Sequence, residues 1–117
     1  MATYKLGEKQ ELFSKLLARL IDEGFRLGYG VRMGECHRTP EQAELNAQSG
    51  KGIANSLHTK RLAVDLILFR DGKYLDKSED YAPLGQFWKA QHPLCFWGGD
   101  FTRPDGGHFS ITHRGIK

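Results

Sequence analysis

Apolar residues open the chain at helical spacing. Leu12, Phe13, Leu16, Leu17, Leu20 and Ile21 share one face, which predicts a helix near Glu8 to Glu23 closed by Gly24. The period then drops to two. Phe25, Leu27, Tyr29, Val31 and Met33 alternate with Arg26, Gly28, Gly30, Arg32 and Gly34, the pattern of a half-buried strand or of a hairpin bent at a glycine. Thr39-Pro40-Glu41-Gln42 supplies an N-cap, a proline at the first helical position and a capping-box partner. The helix predicted there carries Ala43, Leu45 and Ala47 and stops at Ser49-Gly50-Lys51-Gly52. Leu62 to Phe69 is apolar apart from Asp65, which suggests a central strand buried on both faces, with an Asp71-Gly72 turn after it. A third helix is expected near Pro83 to Gln91, with Leu84, Phe87 and Trp88 inward. Leu94 to Trp97 and His108 to Thr112 read as short strands, parted by Gly98-Gly99 and Pro104-Asp105-Gly106-Gly107.

In 117 residues this amounts to one domain, expected to span the whole chain. The class is α+β: a small antiparallel sheet with about three helices packed against it. No stretch has the apolar length of a membrane span, so no membrane insertion is expected. The net charge of +3 is spread without a basic stripe, which argues against a nucleic-acid partner. Two cysteines are too few for a disulfide framework. Met1 to Lys9 lacks the apolar run of a signal peptide, so the chain is expected to remain at first in the cytoplasm.

Asp65 changes the picture, because a carboxylate inside an apolar strand is costly unless something neutralises it. A metal ion would do so, and His58 lies just before the same strand. The plainer alternative is an arginine partner or an outward-facing position at a sheet edge. The second half of the pattern is Asp105-Gly106-Gly107-His108. Alternation puts His108, Ser110 and Thr112 on one face and Phe109 and Ile111 on the other, while Asp105 can fold back across the Gly-Gly turn. An ordinary turn with a surface histidine is the alternative here. Taken together, His58, Asp65 and His108 offer two imidazoles and a carboxylate, a set that suits Zn2+ and leaves a fourth position open for hydrolytic chemistry. Asp105 is then the candidate general base, and Arg38, at the mouth of a helix, the candidate cation for a developing oxyanion.

Ser56-Leu57-His58, Ala63-Val64-Asp65, Trp97-Gly98-Gly99 and Asp105-Gly106-Gly107-His108-Phe109, taken in order, resemble the D-alanyl-D-alanine carboxypeptidase and L-alanyl-D-glutamate endopeptidase family of zinc peptidases. Its signature is Ser-x-His, six residues, Asp, with a later acidic residue three before a histidine. Arg38-Thr39-Pro40-Glu41-Gln42 is similar to the same family's arginine-bearing helix start. The resemblance implies the hedgehog/D-Ala-D-Ala peptidase type of fold and zinc on His58, Asp65 and His108. It also implies Asp105 as base, Arg38 on the substrate carbonyl and Ser56 as a substrate hydrogen-bonding residue. His37 stands where the family often has an aromatic residue.

Within that family the chain looks most like the small bacteriophage endolysins. The activity so implied is hydrolysis of the L-alanyl-D-glutamate bond of peptidoglycan by a monomer held in the host cytoplasm until lysis, which then reaches the periplasm and cell wall through a holin-like pore former. A D,D-carboxypeptidase or dipeptidase on the same scaffold, and a non-enzymatic zinc-stabilised binding module, remain the alternatives. Other suggestive pairs carry less. His92 reads as a helix end and Cys95 as core, Cys36 and His37 as neighbours on opposite faces of a strand, and His113 as an exposed residue near a frayed end. Trp88 reads as core, and Trp97 as either core or cleft wall.

Overall fold

A computed structural model of the chain describes residues 4–50 and 55–117. The first helix, α1, runs Leu6–Arg26 and buries Phe13, Leu16 and Leu20. Gly24 does not end it. That glycine lies buried inside the helix, where a Cβ would stand 2.7 Å from Val31 Cγ2. The chain turns instead at Gly28, whose φ of +90° is open to glycine at little cost. Phe25 and Arg26 therefore belong to the helix, and the alternating run contributes only β1, Gly30–Met33. Backbone hydrogen bonding of the last helical turn, with Leu27 and Gly28 amides donating to Glu23 and Phe25, overrides the period-two pattern there.

Thr39 caps α2, Pro40–Gln48, by accepting the Gln42 amide at 3.1 Å. The reciprocal half of the capping box does not form, since the Gln42 side chain donates to Asn46 instead. Only Ala43 of this helix is buried, and Leu45 lies at the surface. Of the expected stop signal, Lys51 and Gly52 lie outside the described residues.

The central strand β2, Ala63–Arg70, continues through Asp71 and Gly72, at φ +52° and +76°, into β3, Lys73–Tyr74. Consecutive left-handed residues give the tight two-residue hairpin expected of Asp-Gly. The helix α3 is Ala82–Gln91, and the last strands are β4, Cys95–Trp97, and β5, His108–Ile111. The five-stranded sheet is ordered β1-β2-β5-β4, with β3 also on β2, and every pairing is antiparallel. The register puts β1 on one edge of β2 and both β5 and β3 on the other.

Burial along β2 alternates instead of covering both faces. Val64, Leu66 and Leu68 are fully buried, whereas Asp65, Ile67 and Phe69 are half-buried. The inner set joins Phe13, Leu20, Leu84, Trp88, Phe109 and Ile111 in one core beneath α1 and α3. Trp88 is its centre. It stands edge-on to Phe13 and Phe109, and its indole N–H donates to the carbonyls of Phe96 and Ser110. Burial of each such side chain contributes about 1.5–3 kcal/mol, so this face is the rigid base on which Asp65 is presented.

Candidate metal centre

Asp65 and His108 face each other directly in the β2–β5 register. Cross-strand partners of this kind leave the sheet on one side, close enough to share a ligand. His58 arrives from the tight turn Leu57–Lys60 just ahead of β2. Ser56 caps that turn by accepting the His58 amide at 3.2 Å. One carboxylate oxygen of Asp65 then lies 3.5 Å from His58 Nε2 and 3.8 Å from His108 Nδ1, and all three donor atoms fall within 4.8 Å of one another. Tetrahedral zinc bonds of 2.0–2.1 Å would need ligands roughly 3.3 Å apart, so small rotamer movements suffice.

The polar atoms fit a cation. His58 Nδ1 lies 3.0 Å from the Cys36 carbonyl, so it carries the proton and leaves the Nε2 lone pair facing Asp65. A lone pair against a carboxylate is repulsive unless a proton or a metal lies between them. Among the described residues, the same Asp65 oxygen is buried without a hydrogen-bond partner. Burial opposes the Asp65 charge, yet the two imidazoles outweigh it and hold the carboxyl far below its usual range. Burial likewise works to lower the His58 pKa, but Asp65 and the Cys36 carbonyl prevail and raise it.

A five-residue strap, Gly34 to Arg38, ties two of these residues down. The Gly34 amide donates to the Asp65 carbonyl and the Asp65 amide donates to the Glu35 carbonyl, both at 2.7 Å. The Arg38 amide donates to the His58 carbonyl at 3.0 Å. Any Cβ at position 34 would meet the Asp65 carbonyl oxygen at 2.8 Å, so glycine is the residue that permits this approach. Within the strap, the Glu35 carboxylate accepts from Nε of Arg38 at 2.9 Å and from Nη2, and it lies 3.9 Å from His58 Nδ1. The sequence reading passed over Glu35. Its only local signal is a three-residue separation from Arg38; its nearness to His58 is a tertiary fact.

Asp105 stands outside the three-residue ligand set and lines the same cavity of about 300 Å³ as Asp65. Its backbone carbonyl accepts the His108 amide at 3.1 Å, which is the fold-back expected across Gly106-Gly107. Asp105 keeps access to solvent. Desolvation by the surrounding wall, and then the Asp65 charge, nevertheless raise its pKa. Tyr74, Asp76, Ser78 and Tyr81 form the far wall. The lining of the cavity as a whole holds the carboxylates of Asp65, Asp76 and Asp105 and, among the described residues, no Lys or Arg.

His92 follows the end of α3 and accepts the Leu94 amide, while Cys95 is half-buried on β4 with its thiol pushed up to about 12 by burial. Cys36 and His37 are both exposed. Trp97 is buried, with its indole N–H donating to the Gly106 carbonyl at 2.8 Å, so it braces the turn that carries Asp105 and His108. His113 is not a frayed-end residue: its Nδ1 contacts Lys9 Nζ at 3.0 Å, and its backbone bridges to Ile116.

Residues 49–111 match the family model described as D-alanyl-D-alanine carboxypeptidase. The fold is similar to a crystal structure of the L-Ala D-Glu endopeptidase ChiX of Serratia marcescens. The TM-score is 0.71 and the identity 22%, with 97% of this chain and 90% of that chain covered. No curated protein matches the chain. The matched segment contains Ser56, His58, Asp65, Asp105 and His108, all on the geometry just described. The chain belongs to the D-alanyl-D-alanine carboxypeptidase family of peptidases.

Proposed function

We propose that this chain is a zinc-dependent endopeptidase that cuts the L-alanyl-D-glutamate bond in the stem peptide of bacterial peptidoglycan. One observation carries the reading: Asp65, which His58 and His108 join in a cation-ready cluster, lines a cavity whose wall also holds Asp105, outside that cluster. A purely structural metal would need no carboxylate there. Zinc would supply Lewis acidity, polarising the scissile carbonyl and making water a nucleophile at neutral pH. Asp105 takes the proton from the attacking water and passes it to the leaving amine, a task its raised pKa favours. Two nitrogens of Arg38 are occupied by Glu35, which fixes the guanidinium and leaves Nη1 to donate to the developing oxyanion. The Ser56 hydroxyl accepts the His58 amide and keeps its own proton to donate to a substrate carbonyl.

The matching family is that of a carboxypeptidase, and a D,D-carboxypeptidase is the second reading. An enzyme of that kind has to receive a terminal carboxylate. Here the cavity wall is acidic and Arg38 is already paired, which favours an internal amide. The test is mass analysis of fragments from purified peptidoglycan. New L-alanine carboxyl and D-glutamate amino ends are expected; release of D-alanine alone would replace the endopeptidase reading with the carboxypeptidase one. A lytic role beside a holin-like pore former is proposed with it, on the motif resemblance to phage endolysins. Coexpression should clear a culture only when the pore former is present, and clearing without it would contradict this role.

A further inference from the structure

Away from the cluster, the start of α1, the turn Leu57–Lys60 and the last residues of the chain enclose a second cavity of about 500 Å³. It shares no residue with the acidic cavity. Lys5, Lys9, Lys60 and Arg114 line it, and among the described residues no acidic side chain does. Glu8, in the first turn of α1, accepts the Lys5 amide at 2.8 Å and is not part of the lining.

The groove is assembled by specific bonds. Gln10 donates to the Lys60 carbonyl at 2.8 Å, tying the turn to α1. Lys9 contacts His113 at 3.0 Å, and the His113–Ile116 bridge holds Arg114 at φ +49°, a backbone conformation rare for arginine. Positive potential converges on His113, whose pKa is lowered by desolvation and then by Lys9, Arg114 and Lys60. Tyr4 and Leu6, among the few large apolar side chains left exposed, stand on the same wall. Lysines and arginine around an exposed tyrosine and leucine match the chemistry of an anionic bilayer surface, with phosphates outside and hydrocarbon beneath.

We propose that this groove docks the protein onto anionic phospholipid surfaces, its cations taking lipid phosphates while Tyr4 and Leu6 enter the interface. Each lysine or arginine beside such a surface multiplies affinity by roughly fivefold. Binding is independent of hydrolysis and can be read without it. The full chain would be sedimented with vesicles of equal parts phosphatidylcholine and phosphatidylglycerol, and with phosphatidylcholine alone. A Lys9→Gln/Lys60→Gln/Arg114→Gln variant is expected to lose on the order of 100-fold in affinity for the anionic vesicles. A Lys15→Gln/Arg19→Gln/Lys73→Gln variant, with the same change in charge on exposed positions elsewhere, is expected to stay within about threefold of the parent. Circular dichroism of both variants checks the fold, and the single Lys60→Gln change, expected to lose roughly fivefold, replaces the triple if that does not fold. Equal losses in the two triples, or equal binding to both kinds of vesicle, would overturn the proposal. So would binding of pyrophosphate that shifts the His113 resonances without any vesicle binding, since the source of phosphate would then be soluble.

Discussion

Asp65 and His108 stand on paired strands whose backbone ladder fixes them over a core of Val64, Leu66, Trp88 and Phe109. Arg38 stands on an exposed strap, and its side chain is aimed by one carboxylate, that of Glu35. Both regions border the same cluster. On the strand side, position follows from packing, which single surface changes hardly disturb. On the strap side it depends on a partly exposed ion pair, a contact of small net stability that serves orientation more than folding. If Asp65 and His108 ligate and Arg38 meets the oxyanion, as proposed, ligand geometry and transition-state geometry are held by separate devices, and substitutions should separate them.

The largest effect should come from the strand side. Asp65→Ala removes the shared carboxylate, and equilibrium dialysis should find no tight metal with activity down by more than about 10³-fold. Retained tight binding would place the ligands elsewhere. Asp105→Asn should lower kcat by about 10²–10⁴-fold with metal affinity intact; a parallel loss of metal would make Asp105 a ligand, not a base.

The strap comes next. Arg38→Ala should cost about 10²–10³-fold in kcat, as for loss of one oxyanion donor. Glu35→Gln should cost roughly 10-fold in kcat with the melting temperature little changed, in the range of other orienting partners. If Glu35→Gln were as damaging to metal binding as Asp65→Ala, the two regions would not be separable.

The smallest effect is a pH dependence. The His58 pKa lies above its ordinary 6.5, so the cluster without metal takes up a proton at higher pH than a free histidine does. A protonated imidazole cannot ligate. Metal affinity should be full above that raised pKa and fall as pH drops through it, with protons released on binding. Isothermal titration in buffers of different ionisation enthalpy reads this, and pH-independent affinity would remove His58 from the ligands.

The cluster was legible in the sequence because a carboxylate inside an apolar strand and a histidine after a Gly-Gly turn are local anomalies with a chemical cost. The cap at Thr39 and the hairpin at Asp71-Gly72 were legible for the same reason: each is decided by a few neighbouring residues. Gly24 misled because its close contact with Val31 is tertiary, whereas a glycine after a helical run reads locally as a stop. Full burial of β2 was wrong because its apolar residues differ in exposure by face, which composition does not register. Glu35 escaped notice and His113 was misread as a frayed-end residue, since their partners are reached only through the fold: the strap's bonds to His58 and Asp65, and Lys9 at the other end of the chain.

The most direct measurement is a zinc titration of chelator-stripped protein, with hydrolysis of purified peptidoglycan followed at each addition. Activity should rise in proportion to zinc and level off at about one ion per chain, as a single open site requires, and the His108→Ala protein should stay inactive throughout. Full hydrolysis by the stripped protein, or restoration in the absence of His108, would contradict a metal centre on these residues.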